Sequence, residues 1–165
     1  MKFRRSTVKS IICFSIVALA WVSNPQLSVA ATYLRTPEVR FFVGQTSGLW
    51  KQTNSFYAYD QGFTGGGSIA MADLGRDGTA EIITAAGLGG GPHIRTFRLD
   101  GSFINQFYAY DQNMTAGVNV AAGDLDGDGA AEIVTGPKAG GGPQIRVFDG
   151  TGRVDHTVGF YAFDE

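Results

Sequence analysis

The sequence predicts an all-β fold. Short runs rich in β-branched and aromatic residues are separated by glycine turns. No segment carries the spacing of an amphipathic helix. The chain also repeats itself, which fixes the architecture more tightly than composition does.

FYAYD occurs at Phe56–Asp60 and Phe107–Asp111, and FYAFD at Phe160–Asp164. GGGP occurs at Gly89–Pro92 and Gly140–Pro143. Pro-x-(Val/Ile)-Arg-x-Phe occurs at Pro37–Phe42, Pro92–Phe97 and Pro143–Phe148. Aligning 56–98 with 107–149 without gaps gives 24 identities in 43 positions, too many for chance.

Each period of about 51 residues reads as four strands. The first, Ser68–Ala72 or Asn119–Gly123, is small and apolar and suits a crowded inner position. An acidic loop follows, then Glu81–Ala85 or Glu132–Gly136 and the glycine-proline turn. The third strand, His93–Arg98 or Gln144–Asp149, leads into Asp100-Gly101 or Asp149-Gly150, both hairpin signals. The fourth runs into FYAYD, where strand alternation would put Phe and Ala on one face and the two Tyr on the other. Four antiparallel strands per unit describe a propeller blade.

Residues 37–60 match only the last two strands of a unit. The prediction is therefore a partial β-propeller of about two and a half blades: a half blade over 37–60, then blades over 61–111 and 112–164 within a repeat region of 37–165. A closed ring typically needs at least four blades. Self-association or truncation of a longer parent would account for the shortfall, and a last residue at the end of a fourth strand favours truncation.

The first thirty residues read as a cleaved export signal, with 31–36 a short linker. Lys2, Arg4, Arg5 and Lys9 make a basic start, Ile11–Val22 is apolar apart from Ser15, and Ser28-Val-Ala30 offers small residues for cleavage. About twelve apolar residues are too few to span a bilayer, which takes roughly 20. The flanks of Arg4-Arg5 fit a twin-arginine signal poorly, so ordinary secretion is expected, with no membrane insertion after cleavage. Cys13 is the one cysteine and lies in this segment, so disulfides and thiolate metal sites are excluded from the mature chain. Loss of four basic residues moves the charge from −2 to −6, nine Lys plus Arg against fifteen Asp plus Glu. No basic stripe remains for a nucleic acid.

The chemistry concentrates in Asp124-Leu-Asp126-Gly-Asp128-Gly129-Ala-Ala-Glu132. Carboxylates this crowded repel one another unless a hard cation sits among them, and calcium takes six to eight oxygens from such loops. An EF-hand would need Glu at position twelve between two helices; Thr135 stands there, within a strand-like run. Magnesium tolerates so flexible a cage less well. A plain Asx turn is the duller reading, and the charge density argues against it as the whole account.

Together with Gly140–Pro143 eight residues later, the acidic loop resembles an FG-GAP repeat, the unit of integrin alpha-chain propellers and of many secreted bacterial proteins. The resemblance covers roughly residues 37–164. It implies calcium held by Asp124, Asp126, Asp128 and Glu132 with the Ala130 carbonyl, Glu132 standing where Asp is more usual. In the earlier loop Asp73, Asp77 and Glu81 match, with the Thr79 carbonyl, but Gly75 replaces the third-position carboxylate and Arg76 adds a cation. That loop is expected to bind more weakly, with water filling the gap or Arg76 swinging into solvent.

Other features read more plainly. GGGP lacks the Lys-Ser/Thr of a phosphate loop and reads as a strand-to-strand turn. Tyr57, Tyr59, Tyr108 and Tyr110 could face sugar rings, though packing between blades is the more ordinary use. Arg40, Arg95 and Arg146 recur in register, which argues for a shared structural task such as pairing with an Asp of the adjacent strand. His93 and His156 stand at unrelated repeat positions, and no nucleophile accompanies them in a recognisable setting.

The function expected is a calcium-binding module, secreted or at the cell surface, that engages an extracellular protein or glycan; adhesion is what the resemblance implies. No catalytic activity is expected. The alternatives are an accessory fragment of a secreted polysaccharide- or lipid-degrading enzyme, or a truncated structural remnant.

Overall fold

A computed structural model describes residues 16–21, 28–33, 37–44, 50–154 and 159–163. Among the described residues there is no helix, and twelve strands form three four-stranded antiparallel meanders. The first sheet holds β1 (Ile16–Trp21), β2 (Ser28–Tyr33), β3 (Glu38–Gly44) and β4 (Trp50–Tyr57). The second holds β5 (Gly67–Ala72), β6 (Glu81–Ala86), β7 (His93–Phe97) and β8 (Phe103–Tyr108). The third holds β9 (Val118–Gly123), β10 (Glu132–Pro137), β11 (Gln144–Phe148) and β12 (Phe160–Tyr161). The all-β, partial-propeller architecture is the one the repeat predicts.

The first sheet departs from expectation. Where the sequence predicts two strands there are four, because Ile16–Trp21 and Ser28–Tyr33 pair onto β3. Thr32 sits opposite Arg40, as Thr84 sits opposite Arg95 and Thr135 opposite Arg146. The physical reason is compositional: an apolar leader and a blade's small-residue inner strands are made of the same Val and Ala. In the uncleaved chain that segment covers an edge of β3 that would otherwise present unpaired N–H and C=O groups. Cleavage after Ala30 would remove β1 and half of β2, leaving the half blade. The basic start, Cys13, linker residues 34–36, His156 and Asp164 lie outside the described residues.

Two apolar layers join the sheets in series. Val39 and Phe41 of β3 meet Ile69, Ile82 and Phe97 of the second sheet, with Ala58 beside them. Ala70, Ile83 and Ile94 of the second sheet meet Val118, Ile133 and Phe148 of the third. Alternation along β7 sends Ile94 one way and Phe97 the other, so one strand serves both layers. Ile82, Ile94, Ile133 and Phe148 are fully buried, each worth about 1.5–3 kcal/mol over an exposed position.

The seams between sheets also repeat in their polar contacts. Tyr59 Oη lies 3.1 and 2.8 Å from the carbonyls of Thr84 and His93 as donor, and Tyr110 Oη lies 2.9 and 2.8 Å from those of Thr135 and Gln144. Arg95 Nη1 donates to the Ala58 carbonyl at 2.7 Å, and Arg146 Nη1 to that of Ala109 at 2.7 Å. Phe56 packs on Phe97 with ring centroids 4.6 Å apart, and Phe107 on Phe148 at 4.7 Å. Each motif thus ends one sheet and latches the next.

These contacts correct two expectations. The fourth strand stops at Tyr57 or Tyr108, so Ala58-Tyr59 and Ala109-Tyr110 leave the strand alternation. Phe56, Ala58 and Tyr59 all turn inward, and only Tyr57 and Tyr108 remain about half exposed. The recurrent arginines do share a structural task, but Arg95 and Arg146 bind a main-chain carbonyl and not an aspartate. Near the glycine turns the sheets meet backbone to backbone. A Cβ on Gly117, whose φ is +77°, would lie 2.5 Å from the Gly87 carbonyl carbon. No side chain fits there.

Candidate metal centre

The two acidic loops join the first and second strands of the second and third sheets, at the same end of each blade. They lie side by side: the Ala131 N–H donates to the Asp73 carbonyl at 2.8 Å. Loop positions are therefore fixed by the seam as well as by their own turns.

In the later loop the chain coils around its first aspartate. Asp124 accepts from the N–H of Gly127 at 2.7 Å and of Gly129 at 3.0 Å, one on each oxygen. Asp126 accepts from the Asp128 N–H, Asp128 from the Ala130 N–H, and Glu132 from the Leu125 N–H. Gly127 and Gly129 have φ of +82° and +95°, left-handed values at which a side chain would be strained. This coiling brings carboxylate oxygens of Asp124, Asp126 and Asp128 within 4.8 Å of one another, all three residues exposed. Asp126 and Asp128 each keep one oxygen with no protein donor among the described residues.

That cluster could hold a metal ion. Its donors are all oxygen, which suits a hard cation such as calcium or magnesium and not a soft one. Glu132 stands apart from the three-aspartate cluster, its Oε2 engaged by the Leu125 N–H at 2.8 Å. The Ala130 carbonyl follows directly after Asp128 in the same turn.

The earlier loop shows what the missing carboxylate does. With Gly75 in place of an aspartate, the Asp77 N–H turns to Asp73, which also accepts from Gly75 and Gly78 at 3.2 and 2.7 Å. Desolvation works against the Asp73 carboxylate, yet these N–H donors hold its pKa below the ordinary value. Asp77 caps the Thr79 N–H, and Glu81 accepts from the Leu74 N–H at 2.9 Å. Asp73, Asp77 and Glu81 do not gather into a three-carboxylate cluster among the described residues. Asp77 and Glu81 each keep one oxygen with no protein donor among the described residues, so this loop differs from the later one by the missing third carboxylate and by the extra N–H donor on Asp73.

Arg76 is exposed and, among the described residues, makes no ion pair with its own loop. It packs against Gly129 of the neighbouring loop, where a Cβ would meet its Nε at 3.1 Å. Nothing in the repeat spacing signals that placement, because it depends on how adjacent blades nest. Between the two loops and the hairpin after β11 opens a cleft of about 770 Å³, edged by Asp77, Glu81, Asp126, Asp128, Arg98 and Arg153. No protein-family model matches the chain, and no curated protein matches it.

Proposed function

We propose that this chain is an exported, calcium-stabilised module of the FG-GAP repeat kind, which presents a β-propeller-type surface to a protein or glycan outside the cell and performs no catalysis of its own. The observation that supports it is the convergence of Asp124, Asp126 and Asp128 oxygens within 4.8 Å in a loop that also fixes the seam between two sheets. A cation there offsets mutual repulsion and ties β9 to β10 at the point where the sheets meet. The apolar N-terminal segment and the absence, among the described residues, of a helix long and apolar enough to cross a membrane are compatible with export.

Ligation at about 10 μM affinity in millimolar extracellular calcium would add roughly 2.7 kcal/mol of stability. For a domain this size that corresponds to a melting shift on the order of 10 °C. The test is calorimetric titration of chelator-stripped protein with calcium, paired with thermal melts of the native chain and Asp126→Ala. We expect saturable binding, and a calcium-dependent melting gain that the substitution abolishes without altering the melt in chelator. Absence of binding heat together with coincident melts would sink the proposal.

A further inference from the structure

The latch between successive sheets has two halves, and among the described residues the closing motif of the third sheet and the arginine face of β3 each lack the counterpart present at the internal seams. The donor half is the closing motif. The Ala162 N–H donates to the Pro143 carbonyl at 3.0 Å, as Ala58 does to Pro37 and Ala109 to Pro92, so all three copies of the motif are tied to their own sheet by the same backbone bond. Phe160, equivalent to Phe56 and Phe107, is nevertheless 55% exposed. The receiving half lies on β3, on the face opposite the buried Val39 and Phe41. There Arg40 stands at the position of Arg95 and Arg146; among the described residues its guanidinium is held only by Glu38 at 2.7 Å, and its side chain is 38% exposed. Phe42 stands at the position of Phe97 and Phe148.

We infer that a second copy of this chain docks head to tail on this one, its Arg40 donating to the Ala162 carbonyl and its Phe42 packing on Phe160. The occupant is specified by continuity: both internal seams use these two contacts at the same sequence offsets, 37 residues for the arginine bond and, by subtraction (97 − 56 and 148 − 107), 41 for the phenylalanine pair. One feature makes the external seam weaker than the internal ones. Phe163 replaces Tyr59 and Tyr110, so no hydroxyl reaches the carbonyls that they serve. Contact of this head-to-tail type closes into a ring when the rotation fits. Both halves lie outside the leader and do not depend on the metal.

Mixing complementary lesions tests this. One full-length variant carries a broken head, Arg40→Ala with Phe42→Ser, and another a broken tail, Phe160→Ser with Phe163→Ser. Sedimentation of the unaltered chain should show concentration-dependent doubling of mass in the micromolar range. Each variant alone should stay monomeric, and an equimolar mixture should recover a one-to-one dimer through its one intact seam. A head lesion limited to Arg40→Ala, which removes an exposed charge without touching the core, should weaken dimerisation by at least threefold. An unaltered chain that remains monomeric, or variants that associate alone as strongly as it does, would overturn the inference; the second result would indicate unspecific edge pairing.

Discussion

Arg76 of one acidic loop rests on Gly129 of the next, its Nε 3.1 Å from where a Gly129 Cβ would stand. It reaches that place from a left-handed backbone, φ +55°, at the position where the later loop has Gly127 at +82°. A non-glycine residue there costs on the order of 1–2 kcal/mol. The strained residue brings a positive side chain against the loop whose carboxylates are proposed to take calcium.

Removing that charge should favour the ion. Arg76→Ala is expected to tighten calcium binding about two- to fivefold, the scale of an exposed charge interaction. The gain should shrink as sodium chloride rises, since the interaction is screened. Titration calorimetry at two ionic strengths checks both.

Restoring the earlier loop should create a second site. Gly75→Asp with Arg76→Gly reproduces the Asp-Leu-Asp-Gly-Asp order of the later loop. A Cβ on Gly75 has no atom nearer than Asp77 Cγ at 4.0 Å, so the carboxylate fits. Calcium stoichiometry should rise by one per chain, and the apo-protein should gain about 1 kcal/mol from relieved backbone strain. Unchanged stoichiometry would mean that backbone donors still saturate Asp73.

The latch can be weighed directly. Tyr110→Phe removes the hydroxyl bond to Thr135 and Gln144 and should cost about 1–2 kcal/mol in urea unfolding. Arg146→Met breaks a charged bond to the Ala109 carbonyl and should cost about 1.5–3 kcal/mol. Arg146 also lies 5.5 Å over the Tyr110 ring, so the double substitution should cost less than the sum, by about 0.5 kcal/mol or more. Strict additivity would separate the two contacts.

His93 supplies a pH dependence. Desolvation, with the nearby Arg95 charge, holds its pKa below the ordinary 6.5, although Gln106 pulls the other way. The folded state therefore binds fewer protons than the unfolded one as pH falls through 6.5. Stability from this group is complete above that value and declines from about pH 6.5 towards the lower folded pKa. His93→Gln, the residue present at Gln144 of the next repeat, should flatten the melting temperature over that window.

Much of this fold is legible in the sequence. Repetition at 51 residues places β6 and β10 to within one residue of where they lie, and the acidic loop announces its three gathered aspartates. Three things are not legible. Ser28–Tyr33 carries Thr32 at the blade register, but its small apolar residues read equally well as a leader's end. The closing tyrosines break strand alternation, because the chain turns after Tyr57 and Tyr108 and needs a neighbouring sheet to define inside. Arg76 lands on another loop, and local spacing says nothing about which blade nests against which.

The latch offsets of 25, 34 and 37 residues are the same at both internal junctions, so every sheet greets its successor with one standard fitting. Duplicating a single 51-residue unit in the gene would then yield a protein whose added junction already matches, with no compensating substitutions. Molecules of this design can be lengthened or shortened by recombination alone, and variation in the number of units is the easiest change open to them.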